Sequence, residues 1–210
     1  MESHTESNRP VALITGFSSG IGFEYSKYLA ANNWDLELVA QNPEKAKKSF
    51  DLLSYTHSRY HLCNLSKPEG VKDMISKINQ PNLIIANAGI TKYGGIGSIS
   101  KNDRESLFYL LCHGVIDLLE EYIPSMIHRG EGRIVIISSI GAITPMPKSS
   151  IYASAKSAIY SYGQSLSKEL SNKNISVTVS LPGYVHTEAH DRAGLNHLKH
   201  KVPSWMWVSA

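Results

Sequence analysis

The sequence predicts an α/β fold built on a doubly wound, Rossmann-like parallel sheet. Three observations lead there. Short apolar runs alternate with amphipathic stretches along the chain, some of the runs are apolar without polar alternation, and a glycine-rich turn follows the first of them. The strand-length runs are Val11–Thr15, 36–40, 59–63, Leu83–Ala86, 133–138 and 175–181. Helical stretches at 21–31, 43–53, 67–78, 103–127 and 151–171 separate them. The run Ile134-Val135-Ile136-Ile137 is apolar at every position, as a strand covered on both faces requires. Six strands with five crossovers therefore occupy residues 11–181. No internal repeat or inter-domain linker interrupts them. The expected organisation is a polar N-terminal arm (1–10) and a single dinucleotide-binding domain (11–210), in which 184–210 form a tail on the substrate side.

The bulk composition narrows the function classes. The 210 residues are 42% hydrophobic and 19% charged, with a net charge of +3, ordinary values for a globular enzyme. No Lys/Arg run is dense enough to suggest a nucleic-acid partner, and Lys45, Lys47 and Lys48 read as a solvated helix face. Cys63 and Cys112 have no disulfide or metal spacing and read as buried thiols in a reducing compartment. The first ten residues lack the apolar core of a secretory signal, and no apolar run is long enough to span a bilayer. Asn64-Leu65-Ser66 and Asn174-Ile175-Ser176 are therefore chance glycosylation matches. A cytoplasmic protein without a membrane partner is expected.

Thr15-Gly16-Phe17-Ser18-Ser19-Gly20-Ile21-Gly22 lies where the first strand meets the first helix. Gly16 suits a tight turn, Gly20 lets the backbone approach a pyrophosphate, and Gly22 lets helix and strand pack closely. The helix N-terminus then offers N–H groups and partial positive charge to phosphates. A plain glycine-rich loop would satisfy the same spacing, but its place after an apolar strand favours a cofactor site. At the end of the second strand an acidic residue would bind a ribose 2′-OH, and an arginine would accommodate a 2′-phosphate. Ala40-Gln41-Asn42 supplies neither, and Glu37 falls too early, within the strand. With no carboxylate to repel a phosphate and Lys45, Lys47 and Lys48 nearby, NADP(H) is favoured, with NAD(H) as the alternative.

Tyr152-Ala153-Ser154-Ala155-Lys156 puts a phenol and an ammonium on one helix face. A free tyrosine, with a pKa of about 10, exchanges its proton poorly near neutrality. Lowering that value by roughly three units requires about 4 kcal/mol in favour of phenolate. A cation about 4 Å away supplies that order of energy at an effective dielectric of about 20. The isolated spacing also arises by chance, so the order of motifs matters.

In that order the chain resembles the short-chain dehydrogenase/reductase family in its short, single-domain form, over residues 11 to about 190. Thr15 to Gly22 matches the family's Thr-Gly-x-x-x-Gly-x-Gly turn, and Asn87-Ala88-Gly89 its Asn-Ala-Gly motif. Ser139 stands thirteen residues before Tyr152, and Pro182-Gly183 with Val185 and Thr187 completes Pro-Gly-x-Val-x-Thr. Within the family, Gly22-Phe23-Glu24 and the tail around Arg192 and Trp205-Met206-Trp207 resemble the bacterial DltE-like branch. The resemblance implies hydride transfer between a nicotinamide cofactor and a small carbonyl or alcohol, in a homodimer or homotetramer. Tyr152 would be the general acid/base, Ser139 would hold the substrate oxygen, and Lys156 would hold the nicotinamide ribose and lower the tyrosine pKa. The cofactor would contact Gly16, Ser18, Ser19, Gly20 and Ile21 in the turn, Gln41 after the second strand, and Asn64 and Leu65 after the third. Asn87, Ala88 and Gly89, then Pro182, Gly183, Val185 and Thr187, would complete its site beside Tyr152 and Lys156. Ile140 and Tyr184 are expected to touch substrate, or else to pack.

Three departures from the family pattern stand out. Leu111 occupies the place of an asparagine that kinks the long fifth helix and holds a water behind the lysine. Asn64 replaces the aspartate that contacts adenine. The chain ends at Ala210, where relatives continue into a further helix and a seventh strand, so that strand is expected to be missing and the sixth strand left as an edge. The first and third keep a second reading open: a cofactor-binding sensor or scaffold with weak catalysis. His186 and His190 are four apart, but Glu188 does not sit as in a zinc-protease motif. With His197 and His200 they read as a polar lid, and no metal site is expected. Trp205, Met206 and Trp207 either pack on the core or line the substrate mouth.

Overall fold

The computed structural model describes residues 9–53, 57–186 and 207–209, the last three and His186 by backbone alone. In chain order the first elements are β1 (Val11–Thr15), α1 (Gly20–Ala31), β2 (Asp35–Ala40), α2 (Pro43–Asp51), β3 (Ser58–Leu62) and α3 (Pro68–Ile75). Next come β4 (Leu83–Ala86), α4 (Lys101–Phe108), a π-turn (Tyr109–His113), α5 (Gly114–Arg129), β5 (Gly132–Ile137), α6 (Ser150–Glu169) and β6 (Ile175–Ser180). The helix starts follow local chemistry. Asn42 accepts from Lys45 N–H ahead of Pro43, and Ser100 accepts from Asp103 N–H.

The six strands pair in parallel in the order β3-β2-β1-β4-β5-β6, matching the expected doubly wound sheet. Successive residues feed opposite faces. Ala12, Ile14, Leu36 and Leu38 pack with Phe17, Leu29 and Ala46 on one side. Leu13, Val39, Ile84, Ile134 and Ile136 pack with Met74, Leu118, Leu119 and Ile159 on the other. The unbroken apolar runs reflect this double cover. Strand order reverses between β1 and β4, so the loops that follow these neighbours part and open a crevice at the strands' C-terminal ends.

Two features differ from expectation. The helix predicted over 103–127 is two helices joined by the π-turn. Its sequence is uniformly helix-compatible, so periodicity alone did not mark the break. At the junction Gly114 lies so close that a Cβ would stand 3.0 Å from Tyr109 Cε1 and 3.4 Å from Leu65 O. The widened turn, a recognised source of helix irregularity, falls on the segment that holds Leu111. Second, Tyr184–His186 (β7) pairs in parallel with Trp207–Ser209 (β8) in a separate two-stranded sheet. Among the described residues no strand pairs with the outer edge of β6. The histidines at 190, 197 and 200 and residues Thr187, Arg192, Trp205 and Met206 lie outside the described residues. No described helix is long and apolar enough to cross a membrane.

Glu37 is in mid-strand, as read from the sequence, but its carboxylate is buried on the β2 face and held from β3. Arg59 Nη2 donates to Oε1 at 2.7 Å, and His61 Nε2 lies 2.6 Å from Oε2. Arg59 is 78% exposed and can rehydrate, so its loss should matter little. Glu37→Ala should lower unfolding stability by about 1–3 kcal/mol and Arg59→Ala by less than about 1 kcal/mol, read from urea unfolding midpoints. Equal losses would contradict this account.

Candidate active site

The crevice is a cleft of about 650 Å³. Its floor begins at the glycine turn. Gly16 and Gly20 have φ of +72° and +56°, the left-handed region where a side chain is disfavoured. A Cβ on Gly16 would stand 2.8 Å from Ala88 Cα, and one on Gly22 would run into the Gly16 carbonyl and Asn87 Nδ2. Gly16 N–H donates to Val39 O at 2.7 Å, tying the turn to the end of β2. The first turn of α1 receives no capping hydrogen bond from the Ser19 side chain and carries no acidic residue. Its N–H groups and dipole are thus suited to an anionic group in the cleft.

A lock of hydrogen bonds holds the turn against the segment after β4. Thr15 Oγ1 accepts from Asn87 N–H and Ala88 N–H, both at 3.0 Å. The Asn87 carboxamide donates to Thr15 O at 3.0 Å and to Gly16 O at 3.1 Å. Asn87 therefore spends its side chain on the protein's own backbone. Leu111 is buried beneath this segment, its Cδ2 3.1 Å from where a Gly89 Cβ would lie.

The opposite wall is made by β5, α6 and the segment after β6. Alternation along the chain gives two neighbouring serines different tasks. Ser138 turns toward α6 and donates to Lys156 O at 2.9 Å, pinning the helix. Ser139 turns into the cleft and accepts from Gly141 N–H at 3.1 Å, which leaves its own proton for Tyr152. Ile140 N–H donates to Pro182 O at 3.0 Å, fixing the serine loop to the Pro182-Gly183 corner. Lys156 is buried, its Nζ 5.9 Å from the Tyr152 ring centroid, and donates to Ile137 O at 2.6 Å.

The electrostatics correct one expectation. Burial pushes the Tyr152 phenol above its usual pKa, and the Ser139 hydrogen bond offsets this only in part. Burial draws Lys156 down to about 8. Lys156 does not lower the tyrosine pKa in this arrangement: its ammonium turns to the Ile137 carbonyl, and desolvation dominates at the phenol.

Of the residues singled out from sequence, the cleft brings together Gly16, Ser18, Ser19, Gly20, Ile21, Gln41 and Leu65 with Asn87, Ala88 and Gly89. Ser139, Ile140, Tyr152, Lys156, Pro182, Gly183, Tyr184 and Val185 complete it. Asn64 does not line it. Its Oδ1 accepts from Ser66 N–H at 3.1 Å and Ser66 Oγ at 2.7 Å, closing a local turn. Ser138, Ile90, Thr144 and Met146 were not foreseen. A second serine beside Ser139 was the only signal for Ser138, and nothing in the pattern marked the other three.

A glycine turn at a topological switch point, facing a Ser–Tyr–Lys cluster across one cleft, defines a nucleotide-binding α/β protein of the Rossmann type. The family model described as short chain dehydrogenase matches residues 10–197. The chain belongs to the short-chain dehydrogenase/reductase family, a family of NAD(P)-dependent oxidoreductases. It is 29% identical over 184 residues to a 3-oxoacyl-[acyl-carrier-protein] reductase of Chlamydia trachomatis, covering 84% of this chain and 74% of that one. It is 31% identical over 190 residues to the Drosophila melanogaster dehydrogenase/reductase SDR family protein 7-like, covering 85% of this chain and 58% of that one. Among solved structures, a short-chain dehydrogenase from Sphingobium yanoikuyae in complex with NADPH superposes with a TM-score of 0.86 at 29% identity, over 94% of this chain and 79% of that one.

Burying a lysine that would prefer water costs stability. The folded chain releases the Lys156 proton near pH 8, the unfolded chain near 10.5. Below pH 8 both forms hold the proton and the cost is complete. Between pH 8 and 10.5 the unfolded chain binds more protons, so the cost shrinks as pH rises. Lys156→Met should therefore be more stable than the parent by about 1–2 kcal/mol at pH 7, with a smaller margin at pH 10. Urea unfolding at both pH values reads the difference. A variant less stable at pH 7 than the parent would refute it.

Proposed function

We propose that the protein transfers a hydride between NADP(H) and a carbonyl or alcohol substrate, with Tyr152 as general acid/base. The observation that carries this is the Ser139–Tyr152 hydrogen bond facing the glycine turn across one cleft, with Lys156 buried beside it. The residues suit a dinucleotide: the left-handed glycines and the first turn of α1 suit its phosphates, and the sites of Leu65 and Asn87-Ala88-Gly89 its adenosine half. Pro182, Gly183 and Val185 border the nicotinamide half, and Asn64 acts through the turn it closes. When bound, NADPH supplies the hydride that reduces the carbonyl carbon.

The chain's own groups do the rest. Ser139 donates a hydrogen bond to the substrate oxygen and sets the carbonyl against Tyr152. Tyr152 passes its phenolic proton to that oxygen as negative charge develops there, and in the reverse direction takes it back. A tyrosine held neutral by burial is a suitable acid for reduction. Lys156 keeps two N–H donors beyond the one used on Ile137 O, and these suit the nicotinamide ribose. Engagement there would aim its charge at the phenol and lower the Tyr152 pKa, so the expected coupling belongs to the loaded site.

Gln41 is exposed at the end of β2, where a carboxylate would repel a 2′-phosphate, and Lys45 lines the same end of the cleft. Both support NADP(H) over NAD(H). We place the protein in the cytoplasm as a single catalytic domain with 184–210 on the substrate side, and as a homodimer or homotetramer. The cofactor-binding sensor is the second reading, motivated by Leu111, which is buried where the family pattern has an asparagine.

NADPH and NADH titrations followed by fluorescence should give tighter binding of NADPH. With a reactive diketone as substrate, Tyr152→Phe should lower kcat by about 10²–10⁴-fold while NADPH binding persists. Undiminished turnover in Tyr152→Phe would remove that residue from the mechanism. NADPH binding without oxidation across a carbonyl panel would establish the sensor instead.

A further inference from the structure

Beyond Ser139 and Tyr152 the cleft opens between two segments, the loop after β4 and the stretch from Ile140 to Lys148. They are joined across the mouth: Gly94 N–H donates to Lys148 O at 2.8 Å, and Lys148 Nζ stands 5.7 Å from the Tyr93 ring centroid. Large apolar side chains left in water gather here. Ile90, Tyr93 and Ile96 from the first segment, and Ile140 and Ile143 from the second, are all exposed. Such a concentration beside a reactive group marks a binding surface. Met146 lies over Gly141, and a Cβ on Gly141 would collide with its Sδ. The thioether therefore borders the serine loop, where its flexibility suits ligands of varied outline.

The charge pattern is as informative. Among the described residues lining the cleft, only Lys45 and Lys156 are charged. Lys45 stands at the far end beside Gln41, and Lys156 is buried with a proton on Ile137 O. Described walls at the substrate end are Ile90, Ile140, Thr144, Met146 and Tyr184, all uncharged, and the exposed Lys148 stands over the Tyr93 ring at the mouth, outside this lining.

We infer that this end of the site takes an uncharged, predominantly apolar ketone or aldehyde, whose hydrocarbon body lies against Ile90, Ile140 and Met146. The inference rests on the hydride-transfer reading for its chemistry, but the binding surface stands apart from turnover. Burial of each further methylene should strengthen binding until the body passes the rim.

The test is a series of 2-alkanones from four to ten carbons, with 7-oxooctanoate as the carboxylated match of 2-octanone. Steady-state reduction with NADPH should show kcat/KM rising about two- to four-fold per methylene, with 7-oxooctanoate at least about tenfold below 2-octanone. Ile90→Asn and Met146→Asn should flatten the rise, each variant's NADPH titration reporting that it has folded. Equilibrium dialysis of the same ketones against the protein saturated with NADP+ reads the surface without chemistry. A flat series, or preference for the carboxylate, in dialysis would overturn the inference even if butane-2,3-dione is reduced. Chain-length-dependent binding with no reduction of any ketone would uphold the inference and fell the hydride-transfer reading instead.

Discussion

Where β1 and β4 lie side by side, the chain must leave the sheet in two directions, and everything functional lines the gap. That gap does not keep its shape through apolar packing alone, because the segments bordering it are loops with polar backbone to satisfy. One threonine hydroxyl takes two N–H groups from the far side, and one asparagine carboxamide takes two carbonyls from the near side. The glycine turn and the Asn-Ala-Gly segment are thereby a single object. Gly22 is small because the Gly16 carbonyl and Asn87 carboxamide occupy the space a side chain would need.

The catalytic wall obeys a different constraint. It places a phenol and an ammonium where water is scarce, and each is driven toward its neutral form. Tertiary hydrogen bonds keep them in place nonetheless: Ser138 holds the helix backbone at Lys156, and the Ile137 carbonyl holds the ammonium. Both anchors come from the end of β5, so that two consecutive residues, Ile137 and Ser138, position the base of the site. The polarisation of the pair then depends on what enters the cleft.

Much of this was legible in the chain, for identifiable reasons. Double-sided burial writes itself as apolar runs in the central strands β1, β4 and β5, and the spacing of the helical stretches placed the other three, so all six sheet strands could be read to within a residue. Close backbone approach writes itself as glycine, so the turn could be placed. Ser139, Tyr152 and Lys156 could be picked out by spacing, and the cleft gathers them. The π-turn could not be seen, because Tyr109 to His113 satisfies an ordinary helical pattern. The Asn64–Ser66 turn could not be read either, because a side chain's local partner leaves no trace in motif spacing. The tyrosine's raised pKa was likewise invisible. Four-residue spacing tells that two groups share a helix face, but not how dry that face is or where the ammonium turns.

Gln41 stands outside the lock between the two loops. It is exposed at the tip of β2, while the bonds that shape the crevice run through Thr15, Gly16, Asn87 and Ala88. Gln41 thus carries none of the scaffold's weight. Selection could exchange it in a single step without disturbing the turn. A substitution at Gln41 would leave the hydrogen bonds between the two loops as they are.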